Sequence, residues 1–196
     1  MNIQVLIEAI RELLILLPAI LVAITLHEYA QGYLAVKLGD PTPSDTGLFG
    51  FRPMYYIDSL GFLFFVAFGY GWARAIPVDS RNFKKPFLYS LYVYLSGMGV
   101  NLFVAIMFIL LIILYKPAPE GYIYNLFMQI IRINMNYFIF SFFPLLPLSG
   151  GRLIAVLWDF YPRTEFIQMI LLFLFFIFGG ASFLDSIVIS IIHIFM

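Results

Sequence analysis

The stretch LLILLPAILVAITLHEYAQGYLAVKL, Leu13–Leu38, decides the fold. It is interrupted only by Thr25, His27, Glu28, Gln31 and Lys37. About 20 apolar residues cross the hydrocarbon core of a bilayer, so this segment predicts a membrane-spanning helix. Gly39-Asp40-Pro41-Thr42-Pro43 ends it, because proline removes a backbone donor and cannot continue a helix.

The rest of the chain repeats the pattern. Of 196 residues, 63% are hydrophobic and 11% charged, whereas soluble domains carry about 25% charged residues. A lipid bilayer must therefore solvate much of the surface. Eleven basic and eleven acidic residues cancel, which excludes a nucleic-acid-binding field. Cysteine is absent, so disulfides, thiolate zinc sites and cysteine nucleophiles are excluded. Glu8, Arg11 and Glu12 ahead of a long apolar run do not read as a cleaved signal peptide. Further apolar stretches run over 89–115, 124–158 and 166–196. The 124–158 stretch is broken by Pro144, Pro147 and Gly150-Gly151, and the last has a weak point at Gly179-Gly180. Small residues at Ser96-Gly97-Met98-Gly99 predict a close helix approach. Gly61–Trp72 is too short to span and reads as a re-entrant segment or hairpin, which needs its backbone covered by protein or a wet cavity. The expectation is an all-α polytopic membrane protein of about four transmembrane helices, with a membrane-associated loop or hairpin between the first and second. It forms one domain over 1–196.

Lys37, Arg52, Arg74, Arg81, Lys84 and Lys85 cluster in or beside the 38–88 connection, and Arg152 and Arg163 lie in 152–165. The positive-inside rule places both connections in the cytoplasm and the N-terminus outside. His27 lies ten residues before Lys37, or about 15 Å along a helix, at membrane depth yet within reach of water. Ionisable residues at that depth are costly and usually mark function. In an H-E-x-x-H helix, two His on one face bind zinc and the Glu is the general base for zinc-bound water. Here His27 and Glu28 are present and Gln31 replaces the second His. A polar helix interface, with His27 hydrogen-bonded to a neighbour and Glu28 protonated, is the competing reading of these five residues.

Beyond His27-Glu28-Tyr29-Ala30-Gln31 the chain reads Leu38-Gly39-Asp40-Pro41-Thr42-Pro43, then Ile57-Asp58-Ser59-Leu60-Gly61. It continues with Gly71-Trp72-Ala73-Arg74-Ala75-Ile76-Pro77-Val78-Asp79, Gly97-Met98-Gly99-Val100-Asn101, and finally Ser141-Phe142-Phe143-Pro144-Leu145-Leu146-Pro147-Leu148-Ser149-Gly150-Gly151-Arg152. In this order and spacing, over about residues 10–160, the chain resembles the site-2 protease family of intramembrane zinc metalloproteases. The resemblance implies Glu28 as catalytic base and His27 as a zinc ligand, with Gln31 and Ser149 at the other two ligand positions. It also implies substrate binding around Ser141 and Pro144. Ser141 stands where the family has Asn. An amide is a poorer zinc ligand than imidazole, and a serine hydroxyl stays un-ionised near neutral pH. Zinc, the family's cofactor, is therefore expected to bind weakly or not at all.

Three readings follow. The first is a pseudoprotease that binds a transmembrane segment of a membrane protein or a partner protein. The second is an active but atypical zinc-dependent intramembrane endopeptidase. The third is a small proton-coupled transporter using His27 and Glu28. Homo- or hetero-oligomerisation is open under each. Asp40 and Asp58 are expected to cap or turn the chain, Asp159 to end a span, and His193 to make a terminal helix contact or sit at the membrane interface.

Overall fold

The computed structural model describes residues 3–119, 121–158 and 160–195, without the side chains of Pro162, His193 and Phe195. The expectations for Asp159 and the His193 side chain, and Glu120 within its turn, fall outside the described residues. Among the described residues eight α-helices occur in chain order: α1 Ile3–Lys37, α2 Thr42–Asp45, α3 Ser59–Phe68, α4 Pro86–Tyr115, α5 Tyr122–Phe140, α6 Ser149–Leu157, α7 Glu165–Ile177 and α8 Gly180–Phe195. Among the described residues the only β-pairing is an isolated bridge, Ile57 to Ala73.

Helix α1 buries Ile20, Ile24, His27, Glu28, Gln31 and Ala35. This three- and four-residue spacing brings them to one face. The face packs against α4 and α5, with Val104, Ile130, Ile133 and Tyr137 in a shared core. Helix α4 turns Ser90, Tyr94, Gly97, Asn101 and Ala105 inward at the same spacing. Gly97 is required there: a Cβ would fall 2.5 Å from Gln31 Nε2 and 2.9 Å from His27 Cδ2.

The expected hairpin between the first two long helices is present and has a helix on one arm. The Asp58 Oδ1 caps α3 by accepting from the Gly61 N–H at 2.8 Å, and Gly69, at φ +75°, ends it. The chain then returns extended, with the Arg74 N–H donating to the Tyr56 carbonyl at 2.8 Å. Asp40 is fully buried. It accepts from Thr42, from the Asp79 N–H at 2.8 Å and from Asn82 Nδ2 at 2.7 Å, which ties the turn after α1 to the turn before α4. Both aspartates have the capping and turn roles expected.

Helices α1 and α4 are long and apolar enough to cross a membrane, as an integral membrane protein requires; α7 and α8, bent by 72°, make a third only if counted as one broken span. About four were expected. The shortfall lies in α5, which has the length but carries Asn125, Gln129, Arg132, Asn134 and Asn136. The bend falls at the Gly179-Gly180 weak point, where Gly179 takes φ +93°.

Candidate functional site

Helices α1, α4, α5 and α6 and the extended strand after α3 converge on His27. The orientation of its ring follows from a chain of amides. Asn134 Nδ2 donates to the Ile130 carbonyl at 2.8 Å, leaving its Oδ1 to accept from Asn101 Nδ2 at 2.9 Å. Asn101 Nδ2 also donates to the Ala23 carbonyl at 3.1 Å. Its Oδ1 therefore faces His27 Nδ1, 2.6 Å away, and must accept from it. Nδ1 carries the ring proton, and Nε2 keeps a lone pair aimed into the site. The ring lies on Tyr137, with centroids 4.4 Å apart.

That lone pair meets the two residues at the expected ligand positions. Gln31 Nε2 lies 2.7 Å from His27 Nε2 and donates to Ser149 Oγ at 3.0 Å, and Ser149 Oγ is 3.0 Å from His27 Nε2. All three residues are buried. The geometry brings together the three positions named from sequence, but closes them on one another through hydrogen bonds. The Gln31 amide turns its NH₂ inward, and its Oε1 has no partner among the described residues. Catalytic zinc takes three protein ligands. Here the set is one imidazole nitrogen, an amide NH₂ and a neutral hydroxyl, and no group of three or more His, Cys, Asp or Glu that could hold a metal exists among the described residues. This donor set does not fit zinc.

Glu28 lies beside this triad, fully buried. Its Oε2 accepts from the Ile76 N–H at 2.8 Å, and its Oε1 accepts from Arg152 Nη2 at 3.2 Å. Both oxygens of Glu28 are thus engaged, one by a guanidinium and one by a backbone amide. Arg152 also approaches Ser149 Oγ at 3.4 Å and sits 5.1 Å from the Tyr94 ring centre. Gly32 lets the strand carrying Ile76 pass close, since a Cβ there would fall 2.4 Å from Ile76 Cδ1.

Ser141 and Pro144 occupy the turn between α5 and α6, and among the described residues neither hydrogen-bonds the His27 cluster. Ser141 is buried, its Oγ without a partner, while its carbonyl accepts from the Gly150 N–H at 2.8 Å. Sequence reading named Asn101 only as a letter of a motif and Arg152 only as a motif letter and a topology signal, and gave no role to Asn134, Tyr137 or the Ile76 amide. The polar pair Asn134 and Asn136 within an otherwise apolar segment was the available signal for the first of these. A second polar cluster was also missed. At the tip of the hairpin, the Tyr70 hydroxyl donates to Asp185 Oδ1 at 3.0 Å, Arg132 pairs with Asp185 Oδ2 at 3.3 Å, and Asn136 Nδ2 donates to the Gly69 carbonyl at 2.9 Å.

No family model matches the chain. No solved structure matches it either. Among curated proteins, one from Bacillus subtilis (strain 168), described as "Putative zinc metalloprotease YwhC", is 35% identical over 146 residues, covering 71% of this chain and 67% of the relative. Identity at that level over that share of both chains makes this protein a member of the zinc metalloprotease family to which that relative is assigned.

Proposed function

We propose that this chain is a site-2-protease-like membrane protein, a single domain over 1–196, whose hydrolytic centre has become a structural joint. It holds a transmembrane segment or a partner membrane protein without cleaving it. The observation that carries this reading is the state of the two groups that hydrolysis would need. His27 Nε2 is met by Gln31 and Ser149, and both Glu28 oxygens are engaged, one by Arg152 and one by the Ile76 N–H. A general base must reach the proton it removes, and this carboxylate already accepts a charged and a backbone donor inside the protein. The site holds α1, α4 and α6 together, and that function needs no metal.

Metal analysis of the purified protein at neutral pH tests the reading. Zinc well below one equivalent is expected, with no cleavage of a membrane-spanning peptide. Stoichiometric zinc that is lost on His27→Ala would overturn the proposal in favour of an atypical zinc endopeptidase. The double variant Gln31→His with Ser149→Asp restores the ligand types at positions that already converge, so it is expected to gain zinc.

A further inference from the structure

Helices α3 and α7 bound a groove of about 510 Å³ on the outer face of the protein, lined entirely by apolar side chains that include Leu63, Phe64 and Ala67 from α3 and Ile170 and Phe173 from α7. The lining residues recur at three- and four-residue spacing on both helices, over about 12 Å of α3 and about 7.5 Å of α7 at 1.5 Å per residue. At Leu60 and Met169 it borders a second hollow of about 250 Å³, of mixed lining, to which Asp58, Trp72, Arg74 and Glu165 contribute. An apolar trough and a charged mouth therefore adjoin each other at Leu60 and Met169. The mouth lies where α3 and α7 both begin.

Its charge is mixed. Arg74 and Glu165 are exposed, and among the described residues neither has an ion-pair partner. Asp58 has one oxygen committed to capping α3. One cation and two carboxylates at the mouth favour a head group that carries an anion and a cation together. They disfavour one that is anionic alone. A primary ammonium donates three hydrogen bonds and suits carboxylates, and a guanidinium pairs with phosphate in a two-pronged contact.

We infer that these adjoining hollows seat one aminophospholipid, of the phosphatidylethanolamine type. An acyl chain fills the α3–α7 trough, the phosphate meets Arg74, and the ammonium meets Glu165 and Asp58. Such a lipid cements the hairpin to α7, and its seat is independent of whether the chain cleaves peptides.

Native mass spectrometry of the delipidated full chain, titrated in detergent with dioleoyl-phosphatidylethanolamine, -phosphatidylcholine or -phosphatidylglycerol, reads the seat directly. A one-to-one adduct is expected with the ethanolamine lipid at about fivefold lower concentration than with the glycerol lipid, as one surface charge contact is worth about 1 kcal/mol. Glu165→Lys, on the exposed mouth, is expected to reverse that order. Ile170→Trp is expected to abolish the adduct with all three lipids by filling the trough, and helical circular dichroism checks that this variant still folds. Equal binding of the three lipids would overturn the proposal as an adventitious additive only, and so would an order that Glu165→Lys leaves unchanged. Stoichiometric displacement of the bound lipid by a transmembrane peptide would overturn it as well, by assigning the trough to protein.

Discussion

The Glu28–Arg152 and Arg132–Asp185 contacts are nearly equal in length, 3.2 and 3.3 Å, yet sit in opposite surroundings. Glu28 has no exposed side-chain surface and Arg152 only 13%, whereas Asp185 and Arg132 show 26% and 48%. The first pair lies in the packed centre of four helices, with an amide, a hydroxyl and a tyrosine ring around it. The second opens onto a polar groove that Glu8, Arg11, Glu12 and Gln129 also line. A buried ion that loses its partner is stranded, whereas an exposed one turns to other donors or to solvent. The worth of each pair is therefore set by its surroundings more than by its length.

Removing one member of each pair breaks that comparison most directly. Arg152→Leu leaves the Glu28 carboxylate with the Ile76 N–H alone, and should cost about 3–5 kcal/mol of stability in detergent. The double variant Glu28→Gln with Arg152→Leu removes both charges and should regain much of that loss. A double variant as unstable as the single one would mean that Arg152 acts through its packing on Tyr94 and not through charge. Gly97→Ala comes next, at about 1–3 kcal/mol, because its methyl group would fall 2.5 Å from Gln31 Nε2. Combining it with Gln31→Ala should relieve the crowding, and thermal unfolding of the four proteins in one detergent measures this. Asp185→Asn keeps an acceptor for the Tyr70 hydroxyl and should cost below about 1 kcal/mol.

The same contrast separates what the sequence disclosed from what it did not. Features fixed by local composition or turn chemistry were legible: the long apolar run of α1, the turn at Asp40-Pro41, the hairpin after Asp58, the close approach at Gly97 and the weak point at Gly179-Gly180. Motif order brought His27, Gln31 and Ser149 to one point, although Ser149 lies 122 positions beyond His27. What pattern reading could not supply is the direction of each hydrogen bond. Whether Gln31 offers its NH₂ or its oxygen depends on the tautomer of His27, which depends on Asn101 and, through it, on Asn134 in a third helix. Arg152 was equally opaque, since its partner is 124 positions away and no local rule couples α1 to α6. The amides of α5 weaken its apolar signal as a span, yet Asn134 and Asn136 are buried partners inside the protein.

Asp79 and Arg81 carry the comparison to its far end. Their contact is the shortest of the three ion pairs, 2.7 Å, and the most open, with 87% of the Arg81 side chain exposed. The Arg81 guanidinium, and then the Arg81 backbone N–H, hold the Asp79 carboxyl below the usual carboxylate range. A depressed value in the folded state means that the pair contributes above the unfolded value, about pH 4. That contribution is lost as pH falls through the lower folded value. Solvent and salt screen so open a pair. Arg81→Ala should therefore move the Asp79 titration upward, followed by carbon-13 NMR of the aspartate carboxyls, while the melting temperature at neutral pH stays within error of the parent. If Arg81→Ala instead lowered the melting temperature as far as Arg152→Leu, contact length and not burial would rank the three pairs, and Glu28 and Arg152 would lose their standing as the joint between α1 and α6.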